Sequence, residues 1–268
     1  MHNHFFEEIA KLRAARSIWS KMMRDEFGAK KEMSWMLPMH CQTAGVSLTA
    51  QQPLNNLARV AYQAMAGVLG GTQSLHTNSF DEALALPTDE AVMLALRTQQ
   101  LLAMETGVTD TPDPFGGSFF LEALTKDMET RAVALMTRIR ELGGVVPALE
   151  KGFFHREIAE TAYRHETDLE AGRRKIVGVN VHTVDGKMPP ILKIDNDVEK
   201  GQVRRLKKLR RERDNGRVQA ALTRLRGEAK GPTNLMPVIL EAVEAYATVG
   251  EVTNALKDVF GEYPVFGG

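Results

Sequence analysis

Residues 40–88 read HCQTAGVSLTAQQPLNNLARVAYQAMAGVLGGTQSLHTNSFDEALALPT, and their pattern sets the fold class. The segment opens on the end of a short apolar run, MSWMLPMHC at 33–41, which has the length of a β-strand, although Pro38 inside it cannot donate to a sheet ladder. A polar loop at 42–52 follows. Residues 54–69 then predict a helix that is small on one face, where Ala58, Ala61, Ala64 and Ala66 suit close packing against a neighbour, and Gly70-Gly71 end it. TQSLHT at 72–77 predicts a second strand. Strand, helix and strand in succession point to a parallel α/β arrangement.

Where hydrophobic periodicity pauses, GTQSLHTNSFDEA at 71–83 gathers a glutamine, a histidine, an asparagine and two carboxylates. The spacing Ser79-x-x-Glu82 is that of a capping box, in which a hydroxyl and a carboxylate each satisfy an orphan amide at a helix start. A functional reading stands beside it: Asn78 and Glu82 reach outward from a strand end to the hydroxyls of a ligand. The two are compatible, because helix starts border ligand sites in α/β folds.

Outward from this block the chain reads mainly as helix. Residues 5–28 are amphipathic, with Phe5, Ile9, Leu12, Trp19 and Met23 near helical spacing and Gly28 at the stop. Thr88 caps the next helix, with Asp89 and Glu90 at its positive end, and Gly107 terminates it. DTPDPFGGS at 110–118 is turn chemistry. A helix follows at 119–142 and stops at Gly143-Gly144, and further helical patterns occupy 146–171, 197–229, 234–248 and 251–260. Between them KIVGVNVH at 175–182 predicts a strand, and PPILKID at 189–195 a weaker one. Two parallel strands in the first part of the chain cannot close a barrel and leave open edges, so this pattern predicts a sheet that something else completes.

Composition narrows the function classes. With 268 residues and 43% apolar content the chain can bury a core, and 34 basic residues balance 34 acidic ones, so no global field draws it to nucleic acid or an anionic membrane. There is no apolar run long enough to span a bilayer, and the charged, helix-like N-terminus is unlike a signal peptide. A single cysteine, Cys41, excludes an intramolecular disulfide and fits a reducing compartment, with the cytoplasm expected. Cys41 has no basic neighbour in sequence to activate it as a nucleophile. His40, Cys41 and His76 lack metal-ligand spacing, and no metal site is expected. The run KGQVRRLKKLRRER at 200–213 carries eight basic residues, but Val203, Leu206 and Leu209 form an apolar stripe and no aromatic residue interleaves to stack on bases. It reads as the solvated face of a packed helix, or as a contact for an acidic partner surface.

The block at 40–88 closely resembles the large, substrate-binding chain of adenosylcobalamin-dependent acyl-CoA mutases, the methylmalonyl-CoA mutase family. FFEEIAKLRAARSIW (5–19), TGVTDTPDPFGGSFFLEALT (106–125), IVGVN (176–180) and VGEVTNALKDVFGEY (249–263) also resemble that family, in its order, so the likeness covers nearly the whole chain. It implies an α/β fold, the C-terminal portion of a (β/α)8 TIM barrel, about its last two strands, over 1–110, followed by a mainly helical extension over 111–268. It implies that Gln42 and Gly45, in the loop after the first strand, face the corrin and the active cavity. By the same resemblance Gln73, Asn78, Glu82 and Ala85 belong to the last strand-loop that meets the cofactor, with Asn78 and Glu82 on the ribose hydroxyls of the deoxyadenosyl group.

The implied function is radical 1,2-rearrangement of a branched acyl-CoA with adenosylcobalamin. The family's Asp-x-His-x-x-Gly cobalt-ligand motif is not in this sequence, so the resemblance implies that another domain or chain supplies it, as a cobalamin-binding small subunit does in two-subunit relatives. The strands that make most acyl-CoA contacts are likewise expected from a chain carrying the N-terminal part of the barrel, in an oligomer that is inactive without them. Pro38 and Val46 depart from residues common in the family and leave substrate size open, and TAQQP at 49–53 looks more like the two-subunit members. Two other readings remain: a non-catalytic interaction or scaffold module that keeps the barrel's end, and a truncated fragment.

Overall fold

Two short parallel strands, β1 (His40–Gln42) and β2 (Ser74–His76), joined by helix α3 (Asn55–Leu69), form the one sheet among the residues described by the computed structural model, 1–184 and 188–262. The register pairs His40 with Ser74, Cys41 with Leu75 and Gln42 with His76. The strand–helix–strand reading of residues 40–77 therefore holds. β1 is much shorter than the run at 33–41, because Glu32–Trp35 make a helical turn, α2, and Pro38 follows before the ladder begins.

Helix α1 (Phe5–Lys21) continues into a π-helical turn, Met22–Glu26. Its apolar side buries Ile9 and Ala10 against Ala66 of α3 and Leu121 of α5 (Phe119–Glu141), with Phe5, Leu69, Leu124 and Met128 packed around them. Fully burying side chains such as Ile9 and Leu121 contributes roughly 1.5–3 kcal/mol each. Close approach of α1 to the end of α3 requires glycine: a Cβ at Gly70 would lie 2.7 Å from Leu12 Cδ1. Arg16 Nη1 donates to the Gly70 carbonyl at 2.6 Å, which satisfies an orphan acceptor where α3 ends. On α3 the expected small face is buried at Ala64 and Ala66, half-buried at Ala61 and exposed at Ala58.

Thr88 caps α4 (Asp89–Glu105) by accepting from the Ala91 amide, and Ser118 caps α5 in the same way from Leu121. Helix α6 (Val145–Glu150) and helix α7 (Phe153–Glu170) replace the single helix expected at 146–171, because Gly152 takes a φ of 66° between them. The expected helix at 197–229 likewise divides into α8 (Asn196–Glu212) and α9 (Asn215–Glu228), where Asp214 accepts from Arg217 N and starts a new helix.

Three other expectations are corrected. No helix starts at Ser79; residues 80–86 are turns and bends. The run at 175–182 is not a strand. It is a turn with one bridge, Val177 to Val181, because Asn180 accepts from the Ile176 amide and donates to the Leu169 and Arg174 carbonyls, taking the place of ladder bonds. The run at 189–195 is irregular, and Pro189-Pro190 have no amide protons to offer a ladder.

The chain divides into two compact units, Met1–Leu192 and Lys193–Gly268. Residue 110, expected to separate barrel from extension, is no boundary between compact units, because α5 packs along α1. Residues 185–187 and the last part of the expected extension, 263–268, lie outside the described residues. In the second unit, α9 packs with α10 (Met236–Glu244) and α11 (Val249–Phe260) around Val218, Leu222, Leu225, Val238 and Ala255. Helix α8, which carries the basic run, buries no residue.

Candidate functional site

At the carboxyl ends of β1 and β2 the chain builds a polar corner. The Thr43 amide donates to the His76 carbonyl at 3.0 Å, so the ladder extends one bond past β1 and brings the residues after both strands side by side. Thr77 is buried; its hydroxyl donates to the Ala95 carbonyl of α4 at 2.8 Å and accepts from Gln99 at 2.9 Å, which ties the end of β2 to α4. Asn78 follows with 3% of its surface exposed.

Both polar side-chain atoms of Asn78 have partners. Oδ1 accepts from the Thr43 hydroxyl at 2.9 Å and from Gln42 Nε2 at 3.3 Å, and Nδ2 donates to Glu82 Oε2 at 2.8 Å. Glu82 Oε1 accepts from the Ser79 amide at 2.6 Å. The carboxylate thus makes its half of the expected capping box without a helix behind it. Two lone pairs of Oδ1 are filled, while one Nδ2 proton and further lone pairs on both Glu82 oxygens remain available. Glu82 is half-buried, whereas Gln42 and Gly45 are exposed beside it. Glycine at 45 leaves the amide room, since a Cβ there would sit 3.0 Å from Asn78 Nδ2.

The corner rests on a polar layer supplied by α3. Asn56, Arg59 and Gln63 recur at helical spacing and are all buried. Asn56 Nδ2 donates to the Phe80 carbonyl at 2.8 Å and to Thr49 O at 3.0 Å; Gln63 accepts from the Ala44 amide and donates to Ser47 Oγ at 2.7 Å. Arg59 bonds Asn56 Oδ1, Thr49 Oγ1 and the Val177 carbonyl, which fastens the 175–182 turn to the start of α3. Asp81 is 1% exposed and accepts from both the amide and the hydroxyl of Thr88, closing the turns that follow Glu82.

Gln42, Gly45, Asn78 and Glu82 are brought together. Ala85 lies half-buried one turn beyond Glu82, its amide on the Asp81 carbonyl. Gln73 is not with them: it precedes β2 and pairs with Met39, its amide donating to Met39 O and its Oε1 accepting from Met39 N at 2.7 Å. Five residues of extended chain put it about 16 Å from Asn78, at the opposite end of the strands. Thr43, Asn56, Arg59 and Gln63 were missed in the sequence. The spacing of polar residues along an otherwise apolar α3 was a readable signal for the last three.

Comparison with known proteins covers this whole arrangement. The family model described as methylmalonyl-CoA mutase matches residues 1–262. The chain is 46% identical to a methylmalonyl-CoA mutase of Rhizobium meliloti over 97% of its own length and 37% of that protein's. It is 42% identical to the 2-hydroxyisobutanoyl-CoA mutase large subunit of Aquincola tertiaricarbonis, over 98% of this chain and 48% of the other. With the mitochondrial methylmalonyl-CoA mutase of Homo sapiens it shares 43% identity over 97% of this chain and 35% of that one. The chain therefore spans less than half the length of these relatives.

Proposed function

The chain belongs to the methylmalonyl-CoA mutase family, and from that premise we propose that it contributes the nucleoside-holding end of an adenosylcobalamin-dependent acyl-CoA mutase. In this reading β1 and β2 are about the last two strands of a (β/α)8 barrel whose front lies outside these 268 residues. A two-stranded parallel pair is not self-sufficient, and the polar corner lies at the carboxyl ends of the strands, where barrel enzymes carry their sites.

The observation that carries the reading is the hydrogen-bonding capacity left at the corner. One Asn78 N–H and the unfilled lone pairs of Glu82 suit two neighbouring hydroxyls, each able to accept or donate, as the ribose of an adenosyl group presents them. When bound, that group supplies the radical chemistry by which a hydrogen and a carbonyl-bearing group exchange places on adjacent carbons of a branched acyl-CoA. The task of this chain's residues is positional. Asn78 donates to one hydroxyl and Glu82 accepts from both; Gln42 braces Asn78, and Gly45 keeps the approach open. The buried layer of Asn56, Arg59 and Gln63 holds the loops that carry them. The cobalt ligand would come from a cobalamin-binding domain or subunit. A single buried, unpaired Cys41 suits a reducing compartment such as the cytoplasm.

Turnover is the test. This chain, a chain bearing the front of the barrel and a cobalamin-binding subunit are mixed with adenosylcobalamin and either methylmalonyl-CoA or 2-hydroxyisobutanoyl-CoA, and the products are separated by chromatography. Isomerisation should require all three parts together. Activity from this chain alone, or undiminished activity in the assembly with Glu82→Ala, refutes the proposal.

A further inference from the structure

We infer that Thr43 is a positioning residue that sets which way the Asn78 amide faces, and thereby gives the corner its preference for a hydroxyl-bearing nucleoside; this rests on the nucleoside-holding reading above. A carboxamide has two nearly isosteric orientations, and only one of them presents a proton to a ligand hydroxyl beside Glu82. Thr43 selects it. Its hydroxyl accepts from the Asn78 backbone amide at 2.9 Å, and with 1% of the residue exposed no water is at hand for its own proton. That proton goes to Asn78 Oδ1, also at 2.9 Å. Gln42 Nε2 donates to the same oxygen at 3.3 Å.

The opposite orientation is excluded on both sides. It would set the amide oxygen against Glu82 Oε2, two acceptors at 2.8 Å, and would take from the Thr43 proton the Oδ1 acceptor that it holds here. Because the Thr43 amide is bonded to the His76 carbonyl, the residue that orients Asn78 is itself fixed to the end of β2. Its β-branched side chain restricts χ1, which keeps the hydroxyl on this bearing. A single buried threonine thus links the register of the two strands to the direction of the Asn78 proton.

The experiment compares the full chain with Thr43→Val, Thr43→Ser and Asn78→Ala. Binding of 5′-deoxyadenosine and of 2′,5′-dideoxyadenosine is followed by chemical-shift changes in nuclear magnetic resonance. The unmodified chain should prefer the hydroxyl-bearing nucleoside by about tenfold, the value of one hydrogen bond. Thr43→Val should narrow the ratio several-fold without erasing it, because Glu82 keeps its place on the Ser79 amide and still accepts, while affinity for the dideoxy compound stays the same, and Thr43→Ser should restore the full preference. A residue serving only stability would lower both affinities together, and that result overturns the inference, as does full preference in a folded Thr43→Val. Should Thr43→Val not fold, the unmodified chain decides: contacts of the Asn78 side-chain protons with the Glu82 methylenes are expected, and contacts with Thr43 instead overturn the proposal. Equal binding of both nucleosides by the unmodified chain and by Asn78→Ala would sink the reading of the site, whatever the amide orientation proves to be.

Discussion

Replacing Asn78 by aspartate changes one nitrogen for one oxygen and tests the arrangement of the corner without altering its size. Nδ2 lies 2.8 Å from Glu82 Oε2, so Asn78→Asp turns a hydrogen bond into a contact between two carboxylate oxygens. Two unit charges at that separation repel by about 1.5 kcal/mol in a water-like medium and by about 6 kcal/mol at an effective dielectric of about 20. Asn78 is buried and Glu82 half-buried, and relaxation separates the charges, so a cost of about 2–4 kcal/mol at neutral pH is the expected compromise.

The sign of its pH dependence follows from linkage. A carboxylate pair that repels in the folded protein retains a proton to higher pH than the unfolded chain does, so folding binds protons and the variant loses stability as pH rises from about 4 to 7. Urea unfolding of wild type, Asn78→Asp, Asn78→Ala and Asn78→Asp with Glu82→Gln, each at both ends of that range, measures the effect. Asn78→Ala adds no charge and removes only the hydrogen bond to the Glu82 carboxylate, so its cost should vary far less between the two ends than that of Asn78→Asp. Adding Glu82→Gln should reduce the pH dependence of Asn78→Asp to the part that burial of a carboxylate at position 78 causes by itself. If Asn78→Asp is equally destabilised at pH 4 and pH 7, the side chain does not face Glu82 and the corner is wrongly described.

Three further outcomes follow from the structure. In the second unit, the Arg213 guanidinium bonded to both Glu251 oxygens, together with the Thr248 amide and hydroxyl, holds Glu251 down to about 2. The contribution is complete above about pH 4.5 and lost as pH falls towards about 2. Glu251 keeps 21% of its side-chain surface, so after solvent screening roughly 1–2 kcal/mol is expected. Glu251→Gln should flatten that slope in acid unfolding followed by circular dichroism. Gly45→Ala places a methyl group 3.0 Å from Asn78 Nδ2 and should weaken 5′-deoxyadenosine binding several-fold, while thermal unfolding changes by about 1 kcal/mol or less. Gln73→Ala, at the far end of the strands, should leave nucleoside binding unchanged in the same titration; a loss would mean that Gln73 reaches the ligand after all.

Much of the first unit was legible because its signals are local. The strand–helix–strand order of 40–77 and the Thr88 cap depend on neighbours within a few residues, and the structure carries both. Partners distant in sequence were not legible. Thr43 is an ordinary threonine until folding places it against Asn78, 35 residues away. The turn at 175–182 misled because its valines alternate as in a strand, while its conformation is set by the Asn180 side chain and by Arg59, 118 residues distant from Val177. Of the site residues implied by the family resemblance, those after the strands converge. Gln73 stands apart for a reason the sequence did contain, since five extended residues cannot lie at one strand end.

Whether this corner holds a nucleoside by its paired hydroxyls is decided most directly by titrating the chain with 5′-deoxyadenosine and with 2′,5′-dideoxyadenosine while observing the Asn78 side-chain amide and the Gly45 backbone amide. Saturable shifts at both positions, stronger for the compound with two ribose hydroxyls and abolished by Glu82→Ala, are expected. Shifts that are absent, that appear elsewhere on the chain, or that are equal for both compounds would show that Asn78 and Glu82 only close a turn.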